Sequence, residues 1–156
     1  SALGEGSTFL LSFPSCAPPR HTLDVPNTEE AVAKVEGLQI LVAEDEPAVR
    51  DVVRMMLESL GHHVTVAHDG LQALERFEGD PLAYDLLLTD VVMPRLGGGG
   101  LAEKVRALRP ELNVVFMSGF ADDRAVHYYA AQGEAFLQRP FTPKPLHAAL
   151  ASALAA

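Results

Sequence analysis

The chain has 156 residues, 48% of them apolar, and a formal net charge of −9. That length suits one domain with some chain to spare, and the apolar share is enough for a single core, which argues against two full domains. The 12 Lys and Arg residues are dispersed, which argues against a general nucleic-acid binder, because phosphate contacts need clustered cations.

No stretch approaches the roughly 18 to 20 apolar residues of a membrane span, and the start of the chain lacks a basic segment followed by an apolar signal core. A soluble fragment is expected. The single cysteine, Cys16, forms no internal disulfide, which is compatible with a reducing compartment such as the cytoplasm.

The first 36 residues differ from the rest. Ser7 to Phe13 is β-prone and follows Gly4 and Gly6, so it reads as one strand. Pro14, Pro18, Pro19 and Pro26 then mark a linker over residues 15–36. From Gly37 onward, short apolar runs alternate with helical stretches, the pattern of a parallel α/β sheet.

A strand over Leu38 to Ala43 leads into a helix starting near Pro47, a residue suited to the first helical turn. Val49, Val52, Val53, Met56, Leu57 and Leu60 form its apolar stripe, and Gly61 ends it. A strand follows at Val64 to Ala67, then a helix from about Gly70 to Phe77. The run Leu86-Leu87-Leu88, within Tyr84 to Asp90, is apolar on both faces, as buried parallel strands are. Next come a helix at Leu101 to Leu108, a strand at Val114 to Met117, a helix at Asp123 to Gln132, a strand at Ala135 to Leu137 and a last helix from Thr142. Five strands and five helices with right-handed crossovers would form a doubly wound sheet whose crevice lies at the carboxyl ends of the strands.

The residues just past those strands carry the chemistry. The first strand runs into Glu44-Asp45-Glu46, the third into Thr89-Asp90, the fourth into Ser118-Gly119 and the fifth into Gln138-Arg139-Pro140. Carboxylates crowded at one sheet edge repel one another and call for a cation, and oxygen ligands favour magnesium. Taken singly, each residue has a plainer role. Glu46 beside Pro47 suits a helix N-terminus, Ser118 a loop hydroxyl and Arg139 a surface cation; only the constellation raises them above that.

These residues resemble the receiver domains of two-component response regulators and hybrid histidine kinases over residues 37–156. The resemblance rests on four motifs in order: Ile40-Leu41-Val42-Ala43-Glu44-Asp45-Glu46, Leu87-Leu88-Thr89-Asp90-Val91-Val92-Met93-Pro94, Val115-Phe116-Met117-Ser118-Gly119 and Phe136-Leu137-Gln138-Arg139-Pro140-Phe141. It implies a flavodoxin-like fold in which Asp90 accepts a phosphoryl group from a phosphohistidine, the domain catalysing its own phosphotransfer. It also implies magnesium ligated by Asp45, Asp90 and the Val92 backbone carbonyl, with Glu44 acting mainly through water. Ser118 would bind a phosphoryl oxygen, with small Gly119 leaving room beside it. Ser118 and Phe136 would form the switch, read out on the fourth helix, fifth strand and last helix. The implied partners are the phosphohistidine domain of a kinase or a histidine phosphotransfer protein.

Two positions depart from the family pattern. Arg139 stands where the family nearly always has Lys, and a planar guanidinium is less able to act as a compact point charge, so slower phosphorylation or altered coupling is expected. In Leu96-Gly97-Gly98-Gly99-Gly100, Gly97 replaces the usual acid. The run lacks the spacing of a nucleotide cradle and reads as a mobile turn beside the site.

Residues 1–14 resemble the last glycine motif and strand of a histidine-kinase ATP-binding domain. This implies the C-terminal part of a hybrid sensor kinase of bacterial type, with the parent kinase anchored to a membrane or not. Because the chain ends at Leu154-Ala155-Ala156, output through another protein is expected. His62, His63 and His68 read as solvated loop residues, and His127 and His147 as helical residues outside any zinc pattern. Two competing functions have less support. A receiver-like interaction module that no longer phosphorylates is favoured only by Arg139. An aspartate-nucleophile hydrolase needs Asp-x-Asp, and position 92 is Val.

Overall fold

The computed structural model describes residues 37–119, 128–129 and 131–155. The expected strand at Ser7 to Phe13, the kinase-like segment 1–14, the linker 15–36 and most of the expected helix at Asp123 to Gln132 lie outside them. Tyr128, Tyr129 and Ala131 of that helix are helical.

Among the described residues, five strands form one parallel sheet: β1 (Gln39–Ala43), β2 (His63–Ala67), β3 (Leu86–Asp90), β4 (Asn113–Ser118) and β5 (Ala135–Gln138). Their order is β2-β1-β3-β4-β5, the flavodoxin-like arrangement. The longer helices are α1 (Pro47–Ser59), α2 (Gly70–Gly79), α3 (Gly98–Leu108) and α4 (Pro143–Ala155).

Period-two alternation divides the apolar strand residues between two cores. Leu41, Leu87, Val114 and Phe116 pack with Ala73 and Phe77 of α2 and Leu101 and Val105 of α3. Ile40, Val42, Leu86, Leu88, Val115 and Met117 pack with Val53 and Leu57 of α1 and Leu146 and Leu150 of α4. Every residue of β3 is buried, as a central strand covered on both faces requires.

Helix α1 starts at Pro47 and ends where Gly61, at φ 86°, turns the chain toward β2. Its apolar stripe is wider than its buried face, because Val52 is 50% exposed while Val53 and Leu57 are sealed against the sheet. His62 is a correction to the sequence reading. It is buried rather than solvated, since its backbone N–H donates to the Leu57 carbonyl at 3.1 Å and the tight turn draws the residue in; His63 and His68 are exposed.

The glycine run is also corrected. Gly98, Gly99 and Gly100 form the first turn of α3 instead of a loose loop. A Cβ on Gly98 would lie 2.2 Å from the Asp90 carbonyl oxygen and one on Gly97 2.9 Å from that of Val91, while on Gly99 it would meet the Tyr129 hydroxyl. The glycines let α3 begin directly against the end of β3, a close approach that a side chain would block.

Candidate functional site

Strand order reverses between β1 and β3, and in open α/β sheets such a switch point leaves a crevice at the carboxyl ends of the strands. Ala43 pairs with Thr89, so Glu44 and Asp90 leave the sheet at the same level. Ser118 pairs with Gln138, bringing Arg139 to the same rim, where its backbone N–H donates to the Ser118 carbonyl at 2.8 Å. The Arg139–Pro140 peptide is cis.

Glu44, Asp45 and Asp90 each present a carboxylate oxygen within 4.8 Å of the others. Glu44 and Asp90 are buried, whereas Asp45 is exposed. Arg139 spans the two buried acids: Nη1 donates to Glu44 Oε2 at 2.9 Å and Nη2 to Asp90 Oδ2 at 2.8 Å. The remaining oxygens also accept hydrogen bonds, Glu44 Oε1 from the Glu46 N–H at 3.3 Å and Asp90 Oδ1, more weakly, from the Val92 N–H at 3.4 Å. Arg50 donates to the Glu44 carbonyl at 2.9 Å, fastening the turn after β1. Glu46 is the N-cap of α1 by position, but its side chain makes no capping bond.

One guanidinium cannot neutralise two carboxylates. Burial pushes the Glu44 carboxyl up to about 7, and the neighbouring Asp90 charge adds to this while Arg139 opposes it. Burial raises Asp90 as well, against the pull of Arg139. The pair therefore favours an added positive charge. An all-oxygen donor set in which two members are desolvated and under-compensated fits a hard divalent cation such as magnesium.

Ser118 is buried at the end of β4, next to Arg139, and its hydroxyl donates to the Gly119 carbonyl at 3.2 Å. A Cβ on Gly119 would meet Arg139 Nη2 at 3.8 Å, an ordinary contact. Val92 is exposed on the loop after Asp90. Phe136 stands further down the sheet, opposite Phe116 and half-buried. The geometry thus joins Glu44, Asp45, Asp90 and Arg139 at one rim, with Ser118 beside them and Phe136 outside that cluster.

Asp69 and Arg95 escaped the sequence reading. Asp69 is buried, caps α2 by accepting from the Gln72 N–H at 2.8 Å, and pairs with His68 Nδ1 at 2.8 Å and with Arg95. Arg95 adopts φ 67° in the loop from β3 to α3. A Cβ on Gly70 would lie 2.1 Å from the Leu96 carbonyl oxygen, so the start of α2 is pressed against this loop. Asp-Gly before an apolar-periodic stretch is an N-cap signal that marks Asp69, but its pairing with Arg95 has no local signature.

Comparison with known proteins agrees with this geometry. The family described as response regulator receiver domain matches residues 40–151. The chain is 33% identical over 153 residues to Sensor kinase CckA of Brucella abortus, covering 94% of this chain and 16% of that protein's length. It is 41% identical over 83 residues to Response regulator receiver protein CpdR of the same organism, covering 53% of this chain and 68% of CpdR. The crystal structure of a response regulator receiver domain protein from Clostridium thermocellum superposes with a TM-score of 0.69 at 25% identity, covering 76% of this chain and 94% of that one. With the fold, its acidic rim and these matches in agreement, the chain belongs to the response regulator receiver domain family of two-component signalling.

Proposed function

We propose that Asp90 is the phosphoacceptor of a phosphorelay. The observation that carries this reading is its position: a buried carboxylate at the end of the central strand, grouped with Glu44 and Asp45 and in contact with Arg139. Asp90 attacks the phosphorus of a phosphohistidine; the new O–P bond forms as the P–N bond breaks, and the imidazole leaves. Arg139 and the Ser118 hydroxyl, at adjoining strand ends, would meet phosphoryl oxygens. Phosphoryl transfer asks chiefly for such positioning and charge neutralisation. Glu44, Asp45, Asp90 and the Val92 carbonyl are the groups that would hold magnesium, which when bound supplies the neutralising charge. Ser118 and Phe136 are the proposed switch pair.

Beside the acidic rim, Ala48, Val49, Val52, Met56, Pro140 and Phe141 line an apolar groove of roughly 380 Å³ that also touches Arg139. A helix carrying the donor histidine on a kinase or phosphotransfer protein would find an apolar seat there, next to Asp90. The similarity to CckA covers more of the chain than the receiver segment alone, which supports residues 1–14 being the end of a kinase ATP-binding domain joined by the linker 15–36. The phosphohistidine exchange belongs on the cytoplasmic side, where ATP is available to the kinase. Among the described residues no helix is long and apolar enough to cross a membrane.

Incubation with magnesium and acetyl phosphate, followed by intact-protein mass measurement, tests the reading. The wild type should gain the mass of one phosphoryl group and Asp90→Asn should gain none. Failure of the wild type, with a known active receiver labelled in parallel, would leave an interaction module that does not phosphorylate.

A further inference from the structure

We propose that Arg139 is a positioning residue that holds Glu44 and Asp90 as a built-in counter-cation and must release at least one of them before a divalent cation can be held. On this view the arginine sets the metal affinity of the site, below what a lysine would give. The inference rests on the phosphoacceptor reading and adds to it a competition within this chain's own residues.

The hydrogen-bond inventory points this way. All four carboxylate oxygens of Glu44 and Asp90 already accept a donor, and one of each pair, Glu44 Oε2 and Asp90 Oδ2, is taken by Arg139. A metal drawing on these acids would compete with Arg139 for Glu44 Oε2 and Asp90 Oδ2, and it would sit against a guanidinium of like charge. The fork of a guanidinium offers two terminal nitrogens in a fixed plane, here one to each acid, whereas an ammonium is a single point of charge with no fixed spacing between its donors.

Arg139 also has somewhere to go. Its backbone is pinned to β4 by the bond to the Ser118 carbonyl, but its side chain is 21% exposed and borders the groove beneath α1. Only the side chain has to swing, leaving the strand register intact. Once withdrawn from Asp90, the same fork is free to pair with two oxygens of an incoming phosphoryl group. Metal loading and the freeing of Arg139 are then one equilibrium, and the apparent metal affinity is reduced by the fraction of molecules with the bridge released.

The test is magnesium binding by calorimetry on the whole chain without phosphodonor, comparing wild type, Arg139→Lys and Arg139→Gln, with circular dichroism to verify folding. If the bridge is closed in most molecules, Arg139→Gln should bind magnesium about tenfold more tightly than wild type. Arg139→Lys, which keeps the charge, should also bind more tightly and serves alone if the glutamine variant does not fold. In the wild type, the Arg139 side-chain ¹⁵N resonance should shift as magnesium is added. Equal affinities across the three proteins, or an Arg139 resonance that ignores the metal, would overturn the inference while leaving Asp90 phosphorylation standing. No magnesium binding by any of them would instead remove the metal site on which both readings rest.

Discussion

Asp69 and Arg95 form an ion pair that ties the N-terminus of α2 to the loop leaving Asp90. Because Asp69 is buried and also caps α2, it serves two elements at once, while Arg95 is largely exposed. Asp69→Ala should lower the unfolding free energy by about 2 kcal/mol, the upper range for losing a cap. Arg95→Ala should cost about 1 kcal/mol or less, as for an exposed charge partner. Urea denaturation of both single variants and the double variant checks this. The double variant should lose less than the sum, since the two share one interaction.

The glycines of α3 differ in kind from Gly79 at the end of α2. A methyl group at Gly98 would collide with the Asp90 carbonyl, whereas at Gly79 nothing lies within 4 Å. Gly98→Ala should therefore destabilise by more than about 2 kcal/mol, as overpacking against backbone does. Gly79→Ala should be neutral or stabilising by up to about 1 kcal/mol, through the lower entropy of the unfolded chain. Thermal melts of the two variants should move apart from wild type in these senses.

Glu44 makes stability depend on pH. Its carboxyl is raised from 4.5 to about 7 in the folded chain by burial. Between those values the folded state keeps a proton that the unfolded chain has released, so stability from this group is complete below about 4.5 and is lost as pH rises through about 7. The whole effect is at most about 3 kcal/mol. In chelator, urea unfolding at about pH 5 and about pH 8 should show the wild type losing stability relative to Glu44→Gln. A difference that stays constant across that range would mean that Glu44 is ionised throughout.

The Ser118 hydroxyl donates to the Gly119 carbonyl, and in the proposed phosphotransfer it would serve a phosphoryl oxygen instead. Ser118→Ala should slow acetyl-phosphate labelling about a hundred- to a thousandfold, in line with removal of one donor from a charge-stabilising site. Its stability should change by no more than about 1 kcal/mol. The ratio of labelling rates by mass spectrometry, read beside a urea midpoint, separates the two effects.

Arg139→Lys should raise the labelling rate, because an ammonium lets go of the two acids more readily and acts as a compact charge. Labelling of wild type and variant at saturating and at limiting magnesium checks this. An unchanged rate at both concentrations would show that the guanidinium is no handicap.

Much of this protein was legible in one dimension. Apolar runs with β-strand length, separated by helical stripes, are local consequences of burial on a parallel sheet, and they place Asp90 and Ser118 at strand ends and Glu44, Asp45 and Arg139 just beyond them. Register then brings acids and cation to one rim without further information. Other features needed the fold. Val52 shares the helical period of Val53 yet remains exposed, because period describes a face and not what covers it. The glycine run reads as flexible by composition, but its close approach to the Asp90 and Val91 carbonyls is a contact across elements and makes it the packed start of α3. His62 is buried through the turn after α1, and Asp69 meets Arg95 26 positions away. Residue types and spacing by themselves determined which groups stand at the sheet edge. Only the tertiary structure decided that Arg139 holds both buried acids at once, because distance and orientation between side chains 95 and 49 positions apart are set by packing and not by sequence order.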